Sequence, residues 1–82
     1  MTRRSPANTE ERREHIVAYG LVPGARVRDH AFHEPVFARV LAFTPANMAR
    51  ISYESERDRA LHGDPKVCCP TRLRPAPIAP GA

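Results

Sequence analysis

The chain has 82 residues and a net charge of +4. That length supports one small domain, with no room for a deep cleft between two layers, which weighs against a self-contained enzyme. No apolar run approaches the ~20 residues of a membrane span.

The basic excess sits at the two ends. Arg3 and Arg4 open the chain without an acid, and residues 66–82 carry Lys66, Arg72 and Arg74 without one. The stretch between them sums to −1, from 8 basic and 9 acidic residues. Twelve of the 13 basic residues are arginine, whose planar fork suits phosphate or carboxylate.

Residues 1–8, MTRRSPAN, read as a disordered tail. No apolar stretch follows the two arginines, so a secretory leader is not expected and a cytoplasmic location is. A short helix is expected over 9–20. Asn8 can cap it and Glu11 stands where a capping-box carboxylate belongs. Glu10, Glu11 and Glu14 favour its positive end, and Gly20 is a natural stop. Ile16, Val17 and Tyr19 offer a short apolar patch through which its last turn must dock.

Residues 21–75 are expected to form the folded β domain, a small barrel or a strongly bent antiparallel sheet. Pro23-Gly24 marks a turn, and Val27 between Arg26 and Arg28 marks a half-buried strand. His33-Glu34-Pro35 ends it. In VFARVLAFTPANMARISYE, residues 36–54, the TPAN at 44–47 is expected as a four-residue hairpin loop. Phe43 then faces Met48, Ala42 faces Ala49, Leu41 faces Arg50, Val40 faces Ile51, Arg39 faces Ser52 and Ala38 faces Tyr53. This register collects Ala38, Val40, Ala42, Ala49, Ile51 and Tyr53 on one apolar side. It puts Arg39, Leu41, Arg50 and Ser52 on the other, and a slip of one residue would mix the two. Residues 54–65 are charged and fit a long loop or a helical turn. KVCC then offers a short closing strand, and TRL a tight turn that returns Leu73 to the core. Residues 76–82 read as a proline-rich disordered tail.

The order of GARVR, ARVLAF, ARISYE and PTRLRPA resembles the SH3-like small barrels of the Tudor and agenet type. Gly24, Val27, Ala38, Val40, Ile51, Tyr53 and Leu73 carry that resemblance, which spans residues 22–75. It implies a binding module. In Tudor domains the ligand is often a methylated lysine or arginine in an aromatic cage. This chain departs from that pattern. It has no Trp, and Tyr53 is the one aromatic within the matched strand motifs placed to reach a barrel mouth. Phe32, Phe37 and Phe43 lie near strand ends, and four cage walls cannot be assigned.

No catalytic residues, cofactor or metal are expected. Glycines 20, 24, 63 and 81 are scattered and form no phosphate loop. Cys68 and Cys69 are adjacent, a spacing that suits neither a bridge nor structural zinc, even where a folded barrel brings them toward His30 and His33. Free thiols agree with a reducing compartment.

The arginines are the candidate site. Arg26 and Arg28 share one face of the first strand, and Arg39 and Arg50 the outer face of the hairpin. Side by side they form a basic stripe that Arg72 and Arg74 extend, suited to phosphates without reading bases. Asp29, Glu34 and the acids of 54–58 are the neutralising neighbours in the alternative of a merely solvated face. The leading expectation is a non-enzymatic module contacting nucleic acid, with no membrane and no small-molecule substrate. The second is a small regulator or inhibitor docking on a larger protein complex through a sheet edge or an exposed Leu41–Phe43 pair, a pair that Ile16 and Tyr19 of the helix would cover in a purely structural arrangement.

Overall fold

The computed structural model describes residues 8–77, so most of both expected tails, residues 1–7 and 78–82, lies outside the described residues. The chain runs α1 (Thr9–Tyr19), β1 (Arg26–Asp29), β2 (Phe37–Phe43), β3 (Ala49–Tyr53), α2 (Glu56–His62), β4 (Lys66–Cys68), a 3-10 turn (Pro70–Arg72) and β5 (Leu73–Pro75).

Helix α1 begins at the expected capping box. The Asn8 side chain accepts from the Glu11 N–H at 2.8 Å, and the Glu11 carboxylate accepts from the Asn8 N–H at 3.2 Å. It ends with Gly20 in the left-handed region at φ 62°. The Gly20 N–H bonds the Val17 carbonyl and the Leu21 N–H bonds the Ile16 carbonyl. This Schellman closure brings Ile16 and Leu21 together, and both join the core. Only Ile16 of the expected apolar patch does so. Val17 and Tyr19 stay 72% and 42% exposed, because a three-turn helix resting on a small sheet offers it a single row.

All five strands form one antiparallel sheet in the order β4-β3-β2-β1-β5. The sheet is open, which corrects the expectation of a closed barrel. Its edges, β4 and β5, are three residues each, and Pro75 in β5 has no N–H to give to a further ladder. The inner face carries Val27, Ala38, Val40, Ala49, Ile51, Tyr53, Cys68 and Leu73, with Leu21 and Val36 completing the buried set. Alternation along β1 to β3 explains these positions: burying every second residue leaves the intervening arginines outside.

The hairpin register holds for Ala38↔Tyr53, Arg39↔Ser52 and Val40↔Ile51, then shifts. A β-bulge at Leu41 makes Ala42 face Arg50 and Phe43 face Ala49. The extra residue reverses the side of everything after it. Ala42 moves to the outer side, while Phe43 packs against the core with Ile16 and Phe32. The expected outward Leu41–Phe43 pair is therefore corrected. Leu41 alone is exposed, and the helix does not cover it.

Asp29 also departs from its expected place on a solvated face. It ends β1 on the inner side and is fully buried. Arg72 Nε and Nη2 each donate to its carboxylate at 2.8 Å, the Tyr53 hydroxyl donates at 2.9 Å and the Ala31 N–H at 3.0 Å. Burial raises the Asp29 carboxyl, but the Arg72 guanidinium and the two further donors outweigh it and hold the group below its ordinary range. Burial and the same carboxylate push the Tyr53 hydroxyl upward. The 3-10 turn, where the sequence places a tight turn, sets Arg72 over Asp29 and returns Leu73 to the core.

Candidate binding face of the sheet

The outer face is built from the residues that alternation excludes from the core. Across it run three ranks set by strand register. Val67, Arg50 and Ala42 form the first, Ser52, Arg39 and Arg26 the second, and Phe37, Arg28 and Arg74 the third. Five of the six arginines expected in the stripe, Arg26, Arg28, Arg39, Arg50 and Arg74, hold positions on this face. Arg72 does not, since its guanidinium is committed to Asp29 on the core side.

The five differ in what holds them. Arg26 forms a two-bond fork with Glu54, Nε to Oε2 at 2.8 Å and Nη2 to Oε1 at 2.9 Å. Its Nη1 donates to the Pro77 carbonyl at 2.6 Å, and its guanidinium lies 4.2 Å over the Phe37 ring. The fork raises the Arg26 pKa and lowers that of Glu54. Arg39 stands 3.7 Å from the same Glu54 oxygen and donates to the Gly24 carbonyl at 3.1 Å. Arg74 lies on an edge strand and turns to the helix. Its guanidinium is 4.8 Å over the Tyr19 ring and donates to the Thr71 carbonyl at 3.0 Å.

His15 Nε2 sits 2.8 Å from the Leu73 carbonyl and 3.4 Å from Arg74 Nη1. A carbonyl only accepts, so this nitrogen carries the proton. The Arg74 contact is then a donor against a donor, and the arginine is held by the ring and the carbonyls instead.

Arg28 and Arg50 have neither a hydrogen bond nor an acid partner among the described residues, and Arg28 Nε is buried with none. Leu41 and Val67, each 46% exposed, supply apolar surface around Arg39 and Arg50. Asp64, which accepts from the Ser52 hydroxyl at 2.7 Å, is the other acid at the second rank.

Val67 is the residue that the sequence reading missed here, and Glu54, expected only as one of several neutralising acids, is the one that pairs. Continuing the hairpin by one residue past Tyr53 places Glu54 opposite Phe37, whose carbonyl its N–H bonds, on the arginine side. For Val67 the signal was alternation against Cys68.

The remaining candidates separate. Tyr53 is 1% exposed with its hydroxyl on Asp29, so its ring does not reach a mouth. Phe37 lies under Arg26 on the outer face and Phe43 on the core side. Phe32 packs 4.5 Å from His62, beside a shallow pocket of about 280 Å³ between the 32–36 loop and α2. These aromatics do not converge on one ligand. Cys68 is buried, which pushes its thiol up to about 11, and the Cys69 sulfur lies 3.0 Å from the Thr71 hydroxyl. Among the described residues no three of His, Cys, Asp and Glu are arranged to hold a metal, and no helix is long and apolar enough to cross a membrane. Comparison with protein families, with curated proteins and with solved structures gives no match.

Proposed function

We propose that the protein is a non-enzymatic binding module that contacts the phosphate backbone of nucleic acid through the outer face of its sheet. The observation that carries this is the set of arginines on one face of three adjacent strands with less than full neutralisation. Arg26, Arg28, Arg39 and Arg50 are opposed there by Glu54 and, at the β3 side, Asp64. A shallow face with a surplus of guanidinium groups suits phosphate oxygens, which accept two parallel N–H bonds. Contacts of this kind position a strand and carry no sequence information. The strand order and the 3-10 turn before the last strand agree with an open relative of the SH3-like Tudor and agenet architecture. A cytoplasmic setting belongs to the same reading, since both thiols are free.

The test is fluorescence anisotropy with labelled single-stranded and duplex DNA at low salt. Binding is expected to weaken steeply as salt rises, and the Arg39→Glu, Arg50→Glu double variant is expected to abolish it. No binding by the wild type at low salt would remove the reading.

A second reading rests on Leu41 and Val67, exposed beside Arg39 and Arg50. Such apolar surface with flanking arginine fits a docking site on a larger protein. That reading predicts a partner captured equally with and without nuclease and lost with Leu41→Asp.

A further inference from the structure

The arginines of the outer face divide into those committed to close partners, Arg26 and Arg74, and those with a looser partner or none, Arg28, Arg39 and Arg50, and register places the second group on a straight line. Arg28 faces Phe37, and Arg39, two residues on, lies diagonally from it across β1 and β2. Arg39 faces Ser52, and Arg50, two residues back, lies diagonally from it across β2 and β3, the bulge having brought Arg50 opposite Ala42. Each diagonal step combines one strand spacing with two residues of rise, roughly 8 Å. Arg26 and Arg74 lie off this line. Arg26 is clasped by Glu54, and Arg74 is turned to Tyr19.

Resting on the proposed nucleic-acid reading, we infer that Arg28, Arg39 and Arg50 are the phosphate-contacting row, that Arg26 and Arg74 are not contacts, and that Glu54 acts as a built-in competitor for the phosphates. Three observations converge. Arg28 has no acid partner among the described residues and its buried Nε has no acceptor, so its guanidinium is not committed to any group of the fold. Arg50 is exposed with no acid partner among the described residues. Glu54 offers Arg26 the carboxylate fork that a phosphate would otherwise provide, and its Oε2 is 3.7 Å from Arg39. The carboxylate thus neutralises one arginine outright and draws on the next. Leu41, bulged outward from β2 between the second rank and the first, limits water around the row.

Counterion release turns this assignment into a number. Three phosphate contacts give a slope of log K against log salt of about −2.7 on duplex DNA and about −2.1 on a single strand. The experiment titrates labelled oligothymidylate and a labelled duplex over a salt series with wild type and six variants of the full chain. Arg39→Ala and Arg50→Ala should each flatten the slope by about one contact, ~0.9 on duplex and ~0.7 on single strands. Arg74→Ala should leave it unchanged, as should Arg57→Ala on the exposed side of α2, which serves as a control. Glu54→Gln should bind tighter than wild type and steepen the slope by about one contact, ~0.9 on duplex and ~0.7 on single strands, because Arg26 is released. Thermal melts of every variant confirm that the fold is intact, and Arg28→Lys, which keeps the charge, replaces truncation at the partly buried site.

An Arg74→Ala effect equal to that of Arg50→Ala, or a Glu54→Gln variant that binds no better than wild type, would overturn the inference while leaving nucleic-acid binding standing. Failure of the wild type to bind either probe would instead remove the reading beneath it. The two probes decide which form of phosphate backbone the row accepts.

Discussion

Removing the buried carboxylate of Asp29 should be the most damaging single change on the polar side of this fold. Asp29→Ala leaves the Tyr53 hydroxyl and the Arg72 guanidinium without their acceptor, and both are held where the carboxylate was. Breaking one member of a buried pair costs ~3–5 kcal/mol. Arg72 keeps 28% of its side chain in water and recovers part of its solvation, so about 3 kcal/mol is the expected loss. The total stability of a chain this length is about 4–12 kcal/mol. The same loss shifts the thermal midpoint by roughly 12–24 °C for a domain of this size.

Far-UV circular dichroism melts and urea titrations read both quantities. The pH dependence provides a second, independent check. The folded Asp29 carboxyl lies below its unfolded value, ~3.9. Its stabilisation is therefore complete above that value and is lost as pH falls through the folded one. Glu54 is shifted the same way, but it is partly exposed and contributes less. The gap between wild type and Asp29→Asn should be wide at neutral pH and should narrow on acidification below about pH 4. A loss under ~1 kcal/mol in Asp29→Ala, or a gap that stays constant into acid, would refute a charged, donor-saturated Asp29 as the polar anchor of the core.

Three further outcomes follow from the same geometry. Leu41→Asp should change stability by less than ~0.5 kcal/mol, whereas Phe43→Ala should cost ~2 kcal/mol or more; urea melts showing the reverse order would mean that the bulge is misplaced. Gly20→Ala should destabilise by ~1–2 kcal/mol, since α1 closes through a left-handed residue there, and equal melting of the two proteins would contradict that closure. Timed iodoacetamide labelling with peptide mass analysis should modify Cys69 first. Cys68, buried and with its thiol pushed up to about 11, should react only after denaturation.

Much of the scaffold was readable from the amino-acid order because its signals are local. Asn8 with Glu11 started α1 and Gly20 stopped it, each acting over one turn of chain. Alternation about Val27, Val40 and Ile51 sorted core from surface and thereby placed Arg26, Arg28, Arg39 and Arg50 outside. The turn before Leu73 was legible from its proline and the apolar residue after it. The candidate face was therefore visible as a set of residues, though not as a working surface.

Tertiary structure decided which charges are available. Arg72 meets Asp29 across 43 residues, and Arg26 meets Glu54 across 28. Neither pairing exists until strands fix the distance, so charge counting along the chain had to treat both acids as diffuse neighbours. The bulge at Leu41 was equally silent, since one inserted residue leaves composition and hydropathy unchanged while reversing the side of Phe43. The open sheet shows only in the strand order, where β4 and β5 stand at opposite edges without pairing to each other. Period-two patterning by itself determined which side chains face outward. Long-range pairing alone determined that Arg28 and Arg50 remain open and Arg39 only loosely held, while Arg26, Arg72 and Arg74 are committed.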